Sequence, residues 1–403
     1  MNRPAWLSPA VLTIFIAGCV MMSVSMGSRQ AQGLLIGPLS AERGWPLATF
    51  SLAVALHNLF WGAFQPFTGA AADRWGAARV AAIGALAFGL GMMLVAAGGE
   101  WGTIIGLGLV SGFGLAATSY SVVLGPVGRA VAPQYRTTAM GTGSALGSLG
   151  MMALIPLSQS LIGGLGAVTA VWVLACLSLA TIPLALMLHR GEEAARAAAA
   201  AVVHHQQSIG EALREAWGHS GYRLLTAGFF VCGFQLAFIG VHLPGYLALC
   251  GMTKGAGATA LLVIGGFNVI GTYMAGRLRI RPKYLLSAIY LARAVATFLF
   301  VMGPKNETTL LSYAAVMGLL WLSTVPPTTG LIAGLFGPRY IGMLFGVVFF
   351  SHQIGSFLGA WLGGIVYDAT LSYDVMWMST VVAGVFATLV HLPIRDASVR
   401  AAA

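Results

Sequence analysis

Gly69-Ala70-Ala71-Ala72-Asp73-Arg74-Trp75-Gly76-Ala77-Ala78-Arg79 is a short charged break between two long apolar runs, residues 47–71 and 79–98. A helix crossing a bilayer core of ~30 Å needs about 20 residues, and each run supplies them. The same ruler, moved outward in both directions, divides the chain into twelve segments: 9–37, 47–71, 79–98, 102–127, 138–161, 165–188, 221–248, 256–276, 284–302, 309–336, 341–367 and 372–393. The composition agrees, since only 8% of the 403 residues are charged and 58% are hydrophobic, whereas soluble domains carry about 25% charge. The pattern predicts an all-α integral membrane protein with twelve transmembrane helices.

The net charge of +10 first suggests a nucleic-acid binder, but the basic residues occupy short gaps between apolar blocks and form no basic face. Counted on alternate sides, sixteen Lys and Arg fall with the two termini, and only Arg43, Lys254 and Lys305 fall opposite. That asymmetry predicts cytoplasmic termini, a multi-pass protein of the cell inner membrane, anionic lipid headgroups as partners and no nucleic acid. Arg29 and Arg293 are left inside the bilayer. The four cysteines have no metal-ligand spacing. Ile16-Ala17-Gly18-Cys19 resembles a lipoprotein cleavage box, but the apolar run continues past it and reads as helix.

The longest polar stretch divides the spans six and six. The expected domains are residues 1–189, an N-terminal six-helix bundle; 190–219, a cytoplasmic linker; and 220–403, a C-terminal six-helix bundle with a short tail. Within the linker, Ser208-Ile209-Gly210-Glu211 reads as a capping box opening a short amphipathic helix through Trp217. The halves also echo one another. Gly114-Leu115, Arg136 and Trp172 in the first match Gly318-Leu319, Arg339 and Trp377 in the second, as in transporters built from repeated halves. Gly143 and Gly147, and Gly355, Gly359 and Gly363, are spaced for close helix contact, and Pro326-Pro327 is expected to interrupt the tenth span.

The motif Gly69, Asp73, Arg74, Gly76, Arg79 resembles the cytoplasmic loop motif of the major facilitator superfamily. Its second-half counterpart at Gly276-Arg277-Leu278-Arg279 is degenerate. The resemblance implies two pseudo-symmetric six-helix bundles and a conformational latch, with Asp73 at a helix end binding the basic end of a neighbour. Longer stretches are similar to bacterial members of the monocarboxylate and oxalate/formate transporter group: Arg29-Gln30-Ala31-Gln32-Gly33-Leu34 through Ser40, Gly44-Trp45, Phe50-Ser51-Leu52-Ala53, Gln65-Pro66, Trp321 through Pro327, and Phe350-Ser351-His352-Gln353. The resemblance implies that Arg29 takes the place of a substrate-linked cation and that spans one, two, four, five, seven, eight, ten and eleven line a central cavity. Two departures stand out. Span eight lacks the Asp/Arg pair of the animal monocarboxylate transporters, and residues 140–162 lack the Gly-Pro-x-x-Gly-Gly core of drug/proton antiporters.

An ionisable group at membrane depth is a functional candidate by default. All eleven acids fall in loops or at helix ends, so the bilayer interior holds Arg29, Arg293, His57, His242 and His352 and should attract an anion. Arg29 can grip a carboxylate through two parallel hydrogen bonds, whereas Arg293, on peripheral span nine, reads as a helix-packing residue. Polar stripes at helical spacing add His57 with Trp61 and Gln65, Gln235 with His242, Asn268 with Thr272, and His352 with Ser356. The candidate substrate contacts are therefore Arg29, His57, Asn58, Tyr120, Gln235, His242, Asn268, His352 and Gln353. With no buried acid, His57, His352 or His242 would carry any coupled proton.

These residues predict a secondary active carrier of a small organic anion, a monocarboxylate, working by alternating access with proton symport or anion exchange. It would act as a monomer with no cofactor and no metal. The alternatives are export of an amphipathic or drug-like compound and, more remotely, a non-transporting sensor or scaffold. No nucleophile elbow, phosphate loop or metal constellation points to an enzyme.

Overall fold

The computed structural model describes residues 9–123, 136–189, 209–253, 255–278, 280–336 and 341–395. Among the described residues there is no strand. Helices satisfy every backbone donor and acceptor within one segment, which apolar runs of this length require in lipid. The helices are α1 (Pro9–Arg43), α2 (Leu47–Trp75), α3 (Ala77–Ala97), α4 (Glu100–Ala117), α5 (Arg136–Leu165), α6 (Ala167–Met187), α7 (Ser220–Leu249), α8 (Ala256–Arg277), α9 (Pro282–Met302), α10 (Glu307–Phe336), α11 (Ile341–Thr370) and α12 (Asp374–His391). Eleven are long and apolar enough to cross a membrane, and Met152–Leu165 is the apolar described portion of the remaining one, α5. Each predicted segment thus falls on helix, two of them (102–127 and 309–336) interrupted, with residues 124–127 outside the described residues. The linker helix forms at Ile209–Gly218, with Ser208 of the expected capping box outside the described residues, and Cys19 lies within α1.

The charged residues at one set of helix ends explain why the spans stop where they do. Glu42, closing α1, accepts from the first amides of α6, Ala167 N at 2.6 Å and Val168 N at 3.3 Å. Arg43 donates to the last carbonyls of α3, at Gly98 (2.5 Å), Ala96 (2.5 Å) and Val95 (3.1 Å). Lys305 does the same for α9 through Phe300, Val301 and Gly303. Anions on helix N-termini and cations on C-termini satisfy orphan backbone groups and oppose the helix dipole. At the opposite end, Gly76 turns α2 into α3 with φ 98°, a conformation that favours glycine.

The chain clusters into two compact units, Met1–Trp45 with Ala63–His204, and Pro46–Gly62 with His205–Ala403. The first half of α2 therefore groups with the second unit. In the first unit α1 packs chiefly on α5, and α3 on α4 and α6. In the second, α7 packs chiefly on α11, α9 on α12 and α8 on α10. Glycines set the distance in both. A Cβ on Gly355 would fall on the carbonyl oxygen of Phe230, one on Gly359 on that of Phe234, and one on Gly233 on that of His352. Between α1 and α5 a Cβ on Gly150 would fall on the Ser23 backbone, and one on Gly27 within 2.5 Å of the Gly150 carbonyl oxygen. Gly147, Gly355, Gly359 and Gly363 all lie at close contacts; the side-chain surroundings of Gly143 lie outside the described residues.

The echoed Gly-Leu pairs mark matching irregularities. After Gly114-Leu115, α4 breaks at Thr118-Ser119 before a short turn of helix, Tyr120–Val123. After Gly318-Leu319, α10 breaks over residues 321–324 and resumes at Val325. Pro326 and Pro327 therefore open the second half of α10, where missing amides cost little. The tryptophans do not match, because Trp377 is fully buried in an aromatic cluster with Phe238, Tyr246 and Phe300 while Trp172 is exposed. The repeat holds for backbone and not for this side chain.

The glycine contacts predict that Gly355→Ala destabilises the protein by about 1–3 kcal/mol through overpacking. Gly346→Ala, on the same helix with open space around it, should be neutral or mildly stabilising. Thermal melting of the two variants in detergent decides the matter, and equal midpoints would refute the contact.

Candidate functional site

Within the first unit, Ser25, Ser28, Arg29 and Gln32 sit at i, i+3, i+4 and i+7, a spacing that places them on one face of α1. That face meets the break in α4. Ser25 Oγ donates to Thr118 Oγ1 at 2.9 Å, and Thr118 Oγ1 donates to the Gly114 carbonyl at 2.9 Å. The second half of α2 reaches the same break: Gln65 Nε2 donates to Ser119 Oγ at 3.4 Å, and Thr68 Oγ1 to the Ala116 carbonyl at 3.2 Å. Arg29 is half-buried at the middle of α1. Ser28 is fully buried and Gln32 nearly so. The Ser28 hydroxyl, both amide atoms of Gln32 and Oε1 of Gln65 are buried with no hydrogen-bond partner.

The second unit treats its broken helix differently. Arg293 is completely buried and spends its guanidinium on the end of the first half of α10. Nη2 donates to the carbonyls of Leu320 (2.5 Å) and Trp321 (2.6 Å), and Nε to that of Leu320 (3.2 Å). Nη1 reaches Cys232 Sγ at 3.3 Å, and that sulfur contacts Thr324 Oγ1 at 3.5 Å. Asn268 Oδ1 accepts from Leu322 N at 3.0 Å and from Thr272 Oγ1 at 3.2 Å. Arg293 is therefore the packing residue expected, and Asn268, expected to meet substrate, uses its amide oxygen to hold the break. Tyr273, next along α8, is exposed beneath Arg277.

Gln235 and His242 were expected to face substrate from α7; His242 is engaged by neighbouring residues through both ring nitrogens, and Gln235 through Nε2, with its Oε1 buried without a partner. Gln235 Nε2 donates to the Thr380 carbonyl of α12 at 2.8 Å. The Tyr373 hydroxyl lies 3.3 Å from His242 Nδ1. His242 Nε2–H donates to the Ala360 carbonyl at 2.7 Å. A fourth buried histidine, His391, was not anticipated; it donates to Ala387 and stacks on Tyr290 with centroids 5.1 Å apart.

His57, Asn58, His352 and Gln353 remain, all buried in the second unit. Gly62 of α2 sits directly on the Gln353 side chain, and Trp61 packs edge-on against Phe349 at 5.2 Å. His352 stacks on Phe349 with an interplanar angle of 7°, and its Nδ1 donates to Gln353 Oε1 at 2.9 Å. Ser356 Oγ donates to the same oxygen at 3.3 Å, while Gln353 Nε2 is buried without a partner. Asn58 Nδ2 bonds Val54 of its own helix at 2.9 Å. The side chains of Tyr120, Asp73 and Arg74 lie outside the described residues. Asp73 and Arg74 fall in the last turn of α2 and Arg79 is exposed.

A family model, Major Facilitator Superfamily, matches residues 13–360. The chain belongs to this superfamily. It is thus a multi-pass membrane transporter, as the twelve-helix plan implied. The uncharacterized MFS-type transporter YcxA of Bacillus subtilis (strain 168) is 26% identical over 181 residues, 43% of this chain and 44% of that one, so the match spans less than half of that relative. The crystal structure of the nucleoside transporter NupG covers 96% of this chain and 99% of its own with TM-score 0.72. At 14% identity that likeness establishes the shared fold.

Arg293 carries a stability prediction. Charged hydrogen bonds contribute about 1.5–3 kcal/mol each, and Arg293→Leu orphans two carbonyls, so a large drop in detergent melting midpoint is expected. Arg293→Lys should restore little, since an ammonium cannot span the carbonyls and the sulfur with a planar fork. Wild-type melting of both variants would refute the role.

Proposed function

We propose that this transporter is a secondary carrier of a small organic anion, of monocarboxylate type, with Arg29 as the anion's anchor. One observation carries the reading: every described acid lies at a helix end or in the linker helix, while Arg29 sits half-buried in mid-helix on a polar face. A fixed cation with no mid-span carboxylate favours a negative solute, and a guanidinium holds a carboxylate by charge-assisted bonds. Arg293 has its charge committed to α10, so the proposed anchor role falls to Arg29. His352 and His57 are the histidines proposed to carry a coupled proton. Both termini are proposed to be cytoplasmic in the inner membrane, following the asymmetry of basic residues.

The test is uptake of labelled monocarboxylates into proteoliposomes. Arg29→Gln should cut saturable uptake by roughly 10–100-fold, the equivalent of one charged bond pair, in protein that melts like wild type. Uptake that survives the substitution, or is confined to cations, would overturn the anchor. For proton symport, an alkaline lumen should accelerate uptake and His352→Gln should abolish that acceleration; indifference to the gradient together with trans-stimulation points to exchange.

A further inference from the structure

The two broken helices differ in what their surroundings still lack. Around the α10 break the exposed carbonyls and the Leu322 amide are met by Arg293 and Asn268, and Thr328 Oγ1 in the first turn beyond it is buried without a partner. Around the α4 break the exposed carbonyls are met by the neutral hydroxyls of Thr68, Thr118 and Ser119, and on the two helices that reach it four buried polar atoms stay unsatisfied: Ser28 Oγ, Gln32 Oε1, Gln32 Nε2 and Gln65 Oε1. They belong to two helices that bond adjacent residues of the break, α1 through Ser25 to Thr118 and α2 through Gln65 to Ser119. Burying an amide or hydroxyl without a partner is costly, and three of the four atoms share one stripe of α1 with Arg29, the fourth standing on α2 where it reaches the break. Discontinuous membrane helices in transporters line solute sites.

The chemistry of these atoms says what would satisfy them. Two are amide carbonyl oxygens, which accept and never donate. A bare carboxylate, itself only an acceptor, would bond Arg29 and Gln32 Nε2 and leave both oxygens orphaned. Hydroxyl groups on the solute would supply the donors. An ammonium group would supply them too, but it would sit beside Arg29 with no described acid on this face to balance it. We infer that the stripe Ser28–Gln32 with Gln65 recognises a hydroxylated carboxylate, one carrying at least two hydroxyl donors besides its anionic group. This inference rests on the anion reading through Arg29 and narrows its substrate class.

Competition against uptake in proteoliposomes tests it with three-carbon probes: glycerate, propionate, serine and neutral glycerol. Glycerate should compete at a concentration about tenfold or more below propionate, one hydrogen bond being worth roughly that factor. Gln32→Leu should shrink the glycerate-to-propionate ratio toward one, and Ser28→Ala, a smaller change should Gln32→Leu not fold, should shrink it partway. Propionate equal to or better than glycerate, with uptake still dependent on Arg29, would overturn the inference and leave the anion reading intact. Glycerol matching glycerate, together with indifference to Arg29→Gln, would overturn the anion reading while the need for hydroxyl donors stands. Serine matching glycerate would overturn the choice of hydroxyl over ammonium, and competition by none of the four would overturn both.

Discussion

Backbone contact through glycine is the constraint on which the rest of this structure depends. Lipid tails are as apolar as leucine, so burying side chains does little to hold membrane helices together. What remains is packing at short range and hydrogen bonding. Gly355 and Gly359 bring α11 onto the carbonyls of Phe230 and Phe234, and Gly233 brings α7 onto that of His352. The same device joins α1 to α5 through Gly27 and Gly150. These four helices hold corresponding places in the two halves, and they carry Arg29 and His352. Arg29 with its stripe and His352 are thus built on the most intimate helix pairs, where depth is fixed by backbone and not by loops, whereas His57 and Gln65 stand on α2.

A second consequence concerns charge. Few charged residues exist, and several of those described are occupied by backbone. Arg43 and Lys305 close α3 and α9, which are equivalent helices of the two halves, and Glu42 opens α6. Asp368 accepts from Ala48 N at 2.9 Å, at the start of α2. Two of the three basic residues that depart from the charge asymmetry therefore have a local reason to be where they are. They sit opposite their fellows because a helix end there needs a cation.

The spans were legible because hydropathy and length together admit one solution in lipid, and each of the twelve predicted segments falls on helix. The break in α10 was legible through Pro326-Pro327, although it falls just before them, since proline is well tolerated at the start of a helix. The break in α4 has no proline and was visible only as the echo of Gly114-Leu115 in Gly318-Leu319. Individual polar roles were harder to read. Helical spacing puts Gln235 and His242 on one face, but it cannot say whether that face meets solute or a neighbouring helix, and the Thr380 and Ala360 carbonyls decide it. Ser28 and Gln32 were in plain view within the stretch that includes Arg29. They drew no notice because an uncharged amide on an apolar helix has an ordinary structural role, tying helices together, and only three-dimensional bookkeeping reveals that Gln32 ties nothing.

The two breaks, equivalent by sequence, are met by different chemistry. Interrupting a helix within a bilayer exposes carbonyls and amides that must be met. The second unit meets them with a permanently charged, fully buried side chain, and a guanidinium bonded to two carbonyls and a sulfur has little capacity left for a solute. The first unit meets them with the hydroxyls of Thr68, Thr118 and Ser119, whose bonds are weaker and individually replaceable. A site that must bind and release a solute cannot be held by bonds too strong to exchange. A neutral, under-satisfied break beside a mid-helix arginine suits recognition, and a break sealed by arginine suits a hinge or strut. The asymmetry between halves that share a fold thus follows from which of them was given the buried cation at its broken helix and which was given it on the facing stripe.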